Sequence, residues 1–372
     1  MDNSISTKHY HYGLVVTVTL LMITGITAIY AASSMKAIQQ FNDPYFFLRK
    51  QSSIAVVCLF SIGFSRFVSK AILKRLALPF MIISLLSLVA IYIPGAYHKV
   101  GGASRWIDLG FIKYQTSEFA KIAIIFLMAK NLSRPSHFIE KFSSGILPTV
   151  LLLSLFSWFL MLQPDFGTTA LIIAVAFSML VISGLPKRYI IASGSMIILL
   201  AAIAIVIAPY RMRRILAFLD PWSQIKEGGF QIIQSYLAFQ NGGLFGTGLG
   251  ESKQKLFFLP EAHTDFILSV VGEELGFVGT AAIIVLFASL VFVCFRITKK
   301  QTEPYYFYLG FGFTLLIAYQ TLFNIGVVLG LLPTKGIPLP FISNGSSSLL
   351  TFSAIICIFM ILNRQEKDHE ET

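Results

Sequence analysis

Long apolar runs are the feature that most constrains how this chain can fold. A helix needs roughly 20 apolar residues to cross the hydrocarbon core of a bilayer. The runs therefore predict an all-α polytopic membrane protein with about ten transmembrane helices. The ten predicted spans lie near residues 13–32, 52–67, 76–93, 119–131, 145–162, 167–184, 189–208, 278–295, 307–330 and 346–362.

The composition excludes most other classes of protein. Of the 372 residues, 55% are hydrophobic and 13% are charged, and this charged share is about half that of a typical soluble domain. So little charge cannot cover a soluble globule, which excludes a cytosolic enzyme, a disordered protein and a nucleic-acid binder. The three cysteines lie in apolar runs without the spacing of a zinc site or a disulfide framework. We expect no nucleic-acid partner and no organic cofactor.

Lysines and arginines in the short loops predict the orientation. They lie between spans two and three, four and five, six and seven, and eight and nine. On the opposite side, the short loop between spans five and six has no lysine or arginine, and the one between nine and ten has only Lys335. Because such loops stay in the cytoplasm, both termini are predicted there. Residues 209–277, between spans seven and eight, then form a large extracytoplasmic loop within a single domain of residues 1–372. This loop includes an apolar helical stretch at 230–239.

The sequence LPEAHTDF, at residues 259–266, concentrates titratable side chains just before an apolar helical stretch. Glu261, His263 and Asp265 alternate, so they would share one face of a strand and could converge in a turn. A carboxylate beside low-dielectric surroundings can be tuned as a general base. A helix N-cap made by Thr264 or Asp265 is an equally weighted alternative. The three alternating side chains also suit a divalent cation such as Mg²⁺ or Mn²⁺.

A second group of polar residues occurs in GGASRWIDLGFIKYQTSEFAK, at residues 101–121. Glu118 and Lys121 are three apart, so they are neighbours on a helix. They form either an ion pair near the membrane boundary or a pair in which Glu118 orients Lys121 toward a substrate anion. Arg105 is a candidate phosphate ligand or an anchor at the interface.

Basic residues also occur on the predicted outer side. Arg211, Arg213 and Arg214 lie near the outer boundary, where topology does not call for positive charge. They are candidates for binding lipid phosphate or pyrophosphate, with anchoring to headgroups as the alternative.

Residues 331–350 contain three prolines and two glycines, which implies irregular backbone inside protein or beside a water-filled cavity. Lys335 would lie at the outer end of this segment.

Several of these stretches resemble one protein family. The sequence SYLAFQNGGLFGTGLGESKQKLFFLPEAHTDFILSVVGEELG, at residues 235–276, resembles the most diagnostic part of the SEDS family, named for shape, elongation, division and sporulation. GGASRWIDLGFIKYQTSEFAK, QPDFGTT and NIGVVLGLLPTKGIPLPFIS resemble it as well, so the similarity covers nearly the whole chain in the right order. LPEAHTDF and LLPTKG look more like the division-type members than the elongation-type members.

The resemblance implies a function and a site. Family members of this kind are peptidoglycan glycosyltransferases that polymerise lipid II at the outer face of the bacterial inner membrane. The family's essential aspartate corresponds to Asp265, and its paired Glu and Lys correspond to Glu118 and Lys121. The family pattern FISYGGSS reads FISNGSSS here, so Asn344 and Ser346 depart from it.

The resemblance also implies partners and a location. The partners are lipid II, a class B penicillin-binding protein acting as transpeptidase, and other membrane proteins of the divisome, and the location is the division septum.

One mechanism combines the residues with the resemblance. Asp265 would act as general base on the acceptor hydroxyl, with inversion from an α-linked donor to a β-1,4 bond. The released undecaprenyl pyrophosphate would be stabilised by basic residues, and a divalent cation could assist. The candidate basic residues for this role are Arg105, Lys121, Arg211, Arg213 and Arg214.

Two other functions stay open from the sequence. The chain could be a lipid II flippase or transporter, or a non-catalytic scaffold for cell division. Transporters place polar or ionisable residues near the bilayer midplane, where this chain has mainly Gln320 and Asn324. The polar groups gather instead at the outer end of the predicted spans, which favours a one-sided enzyme.

Overall fold

Each of the ten predicted spans falls on a helix. The computed structural model describes residues 2–92, 97–100, 103–108, 110, 113–135, 142–225, 228–254, 259–260 and 262–364. A π-helical turn (Phe142–Ile146) precedes the fifth helix. The helices are α1 (Asp2–Phe41), α2 (Phe46–Ser65), α3 (Ala71–Ala90), α4 (Thr116–Leu132), α5 (Leu147–Leu162), α6 (Phe166–Ile182), α7 (Lys187–Ile207), α8 (Pro209–Leu219), α9 (Gly229–Gly242), α10 (Ile267–Lys299), α11 (Pro304–Val328) and α12 (Ser346–Leu362).

The lengths of these helices confirm the class of the protein. Among the described residues, α1, α2, α3, α7, α10 and α11 are long and apolar enough to cross a membrane. Helices α5, α6 and α12 are apolar but shorter, with 16 or 17 residues each. The chain is therefore a helical polytopic membrane protein, and ten as the number of crossings stays a prediction.

Helices α4 and α11 lie at the centre of the bundle. Helix α4 packs against α3, α5, α6, α11 and α12, and most of its side chains are buried. The rings of Phe126 and Phe313 meet edge to face, with centroids 5.8 Å apart. Gly312 permits the close approach, because a Cβ atom there would lie 2.7 Å from Cγ2 of Ile125. By contrast, α7 buries no side chain and lies at the edge of the bundle.

A small antiparallel sheet, which the sequence did not predict, lies between α3 and α4. Its strands are β1 (Tyr97–Val100), β2 (Ala103–Asp108) and β3 (Lys113–Gln115), in the order β1-β2-β3. Ser347, at the start of α12, accepts a hydrogen bond from the amide of Gln115 and donates one to the carbonyl of Lys113, both 3.0 Å long. These two bonds dock β3 on the bundle, and α4 follows directly from it.

The two ends of the bundle differ in what they carry. At one end, Nε of Arg296 donates to the hydroxyl of Tyr10 (3.1 Å), and Nη1 of Arg364 donates to the carbonyl of Phe67 (3.2 Å). Both ends of the described chain therefore lie beside the loops that follow α2 and α10. The sheet, α8, α9 and the segment between α11 and α12 lie at the other end, which we call the site end.

The start of α10 lies inside the predicted 209–277 loop. The helix begins at Ile267 and is kinked at Gly276, whose φ of 65° is unfavourable for other residues. The buried carboxylate of Glu273 accepts hydrogen bonds from Asn241 Nδ2 (3.2 Å), the amide of Gln254 (3.3 Å) and the hydroxyl of Ser252. These bonds tie the glycine-rich stretch after α9 to α10, immediately beyond the residues of the candidate site.

Candidate active site

The backbone around Asp265 is fixed by hydrogen bonds from α11 and from the segment before α12. Nδ2 of Asn324 donates to the carbonyl of Asp265 over 2.8 Å. The two preceding carbonyls, at residues 263 and 264, accept from the amide of Asn344 (3.0 Å) and from Oγ of Ser343 (2.6 Å). Three successive carbonyl groups are thus satisfied, and this short turn enters α10 in one defined conformation.

The carboxylate of Asp265 faces Gly336. A Cβ atom on Gly336 would lie 3.2 Å from Oδ2 of Asp265, so the glycine leaves room for this carboxylate. Helix α10 begins at Ile267 with Phe266 as its N-cap residue. The N-cap position predicted for Thr264 or Asp265 is therefore wrong by one or two residues.

Glu118 and Lys121 form the predicted ion pair. Nζ of Lys121 lies 2.8 Å from Oε1 of Glu118, and the two side chains are only 2% and 3% exposed. Nζ of Lys121 also donates to Oε1 of Gln320 (2.9 Å) and lies 5.2 Å from the centroid of the Phe352 ring. A charge pair this deeply buried persists only when its hydrogen-bonding geometry is good.

A short segment connects this ion pair to Asp265. Gln320, which accepts from Lys121, donates through Nε2 to the carbonyl of Pro338 (2.9 Å). Nδ2 of Asn324 donates to the carbonyl of Ile337 (2.9 Å) as well as to that of Asp265. Hydrogen bonds of Gln320 and Asn324, together with the backbone between Ile337 and Pro338, therefore connect Lys121 to Asp265.

Two basic side chains lie over the aromatic ring of Phe166, and a third lies close to one of them; we call the three the basic cluster. Nζ of Lys335 and Cζ of Arg211 lie 5.3 and 5.1 Å from the centroid of this ring. Nη1 of Arg214 donates to the carbonyl of Thr334 (3.3 Å). Arg211, Arg214 and Lys335 thus gather at the end of the same segment that faces Asp265.

Burial and a neighbouring cation act together on Lys335. Desolvation lowers the pKa of its ammonium group, and the positive charge of Arg214 lowers this pKa further. Both effects disfavour the charged form. An anionic group bound between Lys335 and Arg214 would relieve this repulsion, so the cluster suits a phosphate better than it suits isolation.

Arg105 and Arg213 are placed differently from the basic cluster. Arg105 donates from Nε to the carbonyl of Gln163 (2.9 Å) and from Nη2 to that of Pro164 (2.8 Å). It thereby holds β2 on the turn between α5 and α6. Arg213 is exposed and lies on a different face of α8 from Arg211 and Arg214, which are three residues apart.

His263 has a basic neighbour that the sequence did not reveal. Nζ of Lys36, on α1, lies 3.5 Å from Nε2 of His263, and the ring of Phe47 packs 5.6 Å from the imidazole. Lys36 is 227 residues away in the chain, and only the packing of α1 beside α10 brings it near. Glu261 lies outside the described residues.

The predicted divalent cation would have Glu261, which lies outside the described residues, as one of its ligands. Within the described ranges, no group of three or more His, Cys, Asp or Glu side chains is placed to hold a metal ion. Asn324 bonds the carbonyl of Asp265, and Gly336 lies against its carboxylate. The cation stays a prediction.

This geometry defines the class of the protein. It is a helical membrane protein with a polar site built from a carboxylate, a buried ion pair and a basic cluster. Residues 12–368 match the family model of the cell cycle proteins FtsW, RodA and SpoVE, and the chain belongs to this family. The resemblance in the sequence is thereby confirmed.

Relatives with similar sequences support membership of this family. The chain is 42% identical over 341 residues to a probable peptidoglycan glycosyltransferase FtsW of Geobacter sp. strain M18, covering 91% of this chain and 93% of the relative. It is 39% identical over 355 residues to a protein of the same name from Francisella salina, covering 93% and 87%.

Two solved structures share the fold over nearly their whole length. A chain from a peptidoglycan synthase complex that coordinates polymerization and crosslinking is 28% identical, with a TM-score of 0.78 and coverage of 95% of this chain and 97% of that one. The rod shape determining protein RodA of Thermus thermophilus is 25% identical, with a TM-score of 0.67 and coverage of 95% and 96%.

Proposed function

We propose that this chain is an inverting peptidoglycan glycosyltransferase that polymerises lipid II into β-1,4-linked glycan during cell division. One observation carries the proposal: residues 334–338 have the Asp265 carboxylate on one side and the basic cluster at their start. A base and a group of cations within a few residues of each other suit a transfer that releases an anion. The names of the FtsW relatives support the same activity.

Asp265 is the general base of the proposed reaction. The 4-hydroxyl of the acceptor sugar loses its proton to the carboxylate as its oxygen attacks the anomeric carbon of the donor. Attack from the face opposite the pyrophosphate converts the α-linkage into a β-linkage. The three hydrogen-bonded carbonyls at residues 263–265 support this role, because a base must be held in place to accept a proton efficiently.

The basic cluster stabilises the leaving group. Undecaprenyl pyrophosphate departs with negative charge, and cations already in position stabilise that charge without reorganising. Arg211, Arg214 and Lys335 supply the charge in this proposal, and Arg105 and Arg213 add to the positive charge at the site end. Glu261 and His263 remain candidates for contacting the sugars.

Lys121 and Glu118 belong to the same proposed site. Two of the three N–H donors of Lys121 are bonded, one to Glu118 and one to Gln320. In this proposal the third donates to a substrate oxygen, and Glu118 orients the ammonium group toward it. A cation buried beneath the substrate also attracts the developing negative charge.

The proposed location, orientation and partners follow from the family and from the charges of the short loops. The site end faces the outer side of the bacterial inner membrane, both termini lie in the cytoplasm, and the protein works at the division septum. Its partners are lipid II, a class B penicillin-binding protein acting as transpeptidase, and further membrane proteins of the divisome. The match to a chain of a peptidoglycan synthase complex supports the transpeptidase partner.

Polymerisation of purified lipid II tests the proposal. The chain would be reconstituted with a class B penicillin-binding protein whose transpeptidase site is blocked, and the glycan product would be separated by length. We expect wild-type protein to give long muramidase-sensitive strands and folded Asp265→Ala protein to give none. Transfer of labelled lipid II across vesicles without any polymer would instead identify a flippase. Neither activity, with the transpeptidase partner still recruited, would identify a scaffold.

A further inference from the structure

Two amide side chains on α11 are buried at the level of the proposed site. Gln320 is 0% exposed and Asn324 is 2% exposed, and they are one helical turn apart. An amide in such surroundings costs free energy unless it is hydrogen-bonded. Neither is needed to form α11, so their partners indicate what they do.

Gln320 bridges a side chain and a backbone group in a single orientation. Its Oε1 accepts from Nζ of Lys121 (2.9 Å), and its Nε2 donates to the carbonyl of Pro338 (2.9 Å). A lysine ammonium can only donate and a carbonyl can only accept, so the amide cannot rotate by 180° without losing both bonds. Gln320 therefore relates the position of Lys121 to that of Pro338.

Asn324 holds two separate stretches of backbone together. Its Nδ2 donates to the carbonyl of Asp265 (2.8 Å) and to that of Ile337 (2.9 Å). Each bond uses one of the two hydrogens of the amide, so this orientation is fixed as well. Asn324 therefore clamps the Asp265 turn to residues 336–338, and Gly336 lies against the carboxylate of Asp265 between these bonds.

We propose that Gln320 and Asn324 are positioning residues, which transmit the placement of the buried Glu118–Lys121 pair to the Asp265 carboxylate through residues 336–338. The inference rests on the proposed function, because it takes Asp265 as the base. It assigns Lys121 a second role, acting through Gln320 on the backbone beside Asp265. The basic cluster has its own attachments, at Thr334 and Phe166, so substrate binding should depend less on the amides than the rate does.

Near-isosteric substitutions test the inference. Asn324→Asp removes both donors, and Gln320→Glu keeps the acceptor for Lys121 but removes the donor to Pro338. Gln301→Glu is the matched control, because Nε2 of Gln301 also donates to two carbonyls, of Ile297 and Leu362 (3.0 Å each), at the opposite end of the bundle. Kinetics of lipid II polymerisation and thermal melting would be measured for all three.

The expected result is a split between rate and binding. Asn324→Asp and Gln320→Glu should lower kcat roughly 10- to 100-fold, as a small misplacement of a reacting group does. The KM for lipid II should stay close to that of the wild type, and the control should keep the wild-type kcat. The double variant should lose less than the product of the two single losses, because both residues act on the same segment.

Two outcomes overturn the inference and differ from failure of the proposed function. Wild-type kcat in folded Asn324→Asp protein, while Asp265→Asn is inactive, would show that the amide does not position the base. An equal loss in the Gln301→Glu control would show a general effect of lost donors. If Asn324→Asp does not fold, Gln320→Glu decides the same question. If wild-type protein makes no polymer at all, the proposed function itself fails.

Discussion

Gly336 lies against the carboxylate of Asp265, and a Cβ atom on the glycine would be 3.2 Å from Oδ2. The relationship joins two stretches of chain that are about seventy residues apart in sequence. It explains why a small residue sits in the middle of a segment whose neighbours all make hydrogen bonds. Anything larger at this position would push on the proposed base.

A methyl group at this position should disturb the reaction without unfolding the protein. The backbone of Gly336 is not in the left-handed region, so Gly336→Ala adds only the contact with Asp265. We expect polymerisation to fall by roughly tenfold or more, with the melting temperature nearly unchanged.

Gly63→Ala is the matched control, since a Cβ placed there meets open space beyond its own turn of helix. Equal activity in the two variants, measured as initial rate of lipid II polymerisation, would contradict the proposed contact.

The charge of Lys335 should set the alkaline limit of substrate binding. Because burial and Arg214 lower its pKa, Lys335 is charged below this lowered value and loses its proton as the pH rises through it. Affinity for lipid II should fall over the same range, which gives its pH profile an alkaline limb. Lys335→Gln should raise KM roughly 10- to 100-fold at neutral pH and remove this alkaline limb.

Arg214→Gln tests the direction in which the charge of Arg214 shifts the pKa of Lys335. Removing a neighbouring positive charge raises the pKa of Lys335, so the alkaline limb should move to higher pH even though affinity at neutral pH is weaker. Arg213→Gln, which changes an arginine on another face of α8, should leave the limb in place. KM profiles against pH for the three variants check this, and a limb that moves to lower pH in Arg214→Gln would contradict the coupling.

The buried ion pair should be more costly to break than to replace. Lys121→Met leaves the Glu118 carboxylate buried without its cation, which costs about 3–5 kcal/mol for such pairs. The double variant Glu118→Leu/Lys121→Met removes both charges and should melt closer to the wild type, while both variants lose polymerisation. Thermal melting in detergent separates the two effects. A double variant as unstable as Lys121→Met alone would show that the charges do not compensate each other.

The sequence predicted the helices well because the apolar runs are a local signal. It also predicted the Glu118–Lys121 pair, since residues three apart on a helix are neighbours whatever the fold. The strands at residues 97–115 were missed, because strand preference depends on partners that come from elsewhere. The three strands are short, and their docking rests on Ser347 in a distant helix.

The contacts that complete the site depend on packing between distant helices. Lys121 and Gln320 are 199 residues apart, and Lys36 and His263 are 227 apart. Neither contact can be predicted from a single sequence, although the sequence does show Gln320 and Asn324 as polar residues in an apolar run. Arg105 is the opposite case. Its residue type suggested a phosphate ligand, but its Nε and Nη2 donate hydrogen bonds to the carbonyls of Gln163 and Pro164.

The proposed role of Asp265 as the base is tested by the rate of lipid II polymerisation by Asp265→Asn. The amide has nearly the shape of the carboxylate but cannot accept the proton, so the rate should fall roughly 10²- to 10⁴-fold. Asp220→Asn is the control, because Asp220 is exposed and its Oδ1 accepts a local bond from the amide of Ser223 (3.2 Å). We expect polymerisation to be lost in the first variant and to stay near the wild-type rate in the second. Folded Asp265→Asn protein that polymerises at the wild-type rate would contradict it.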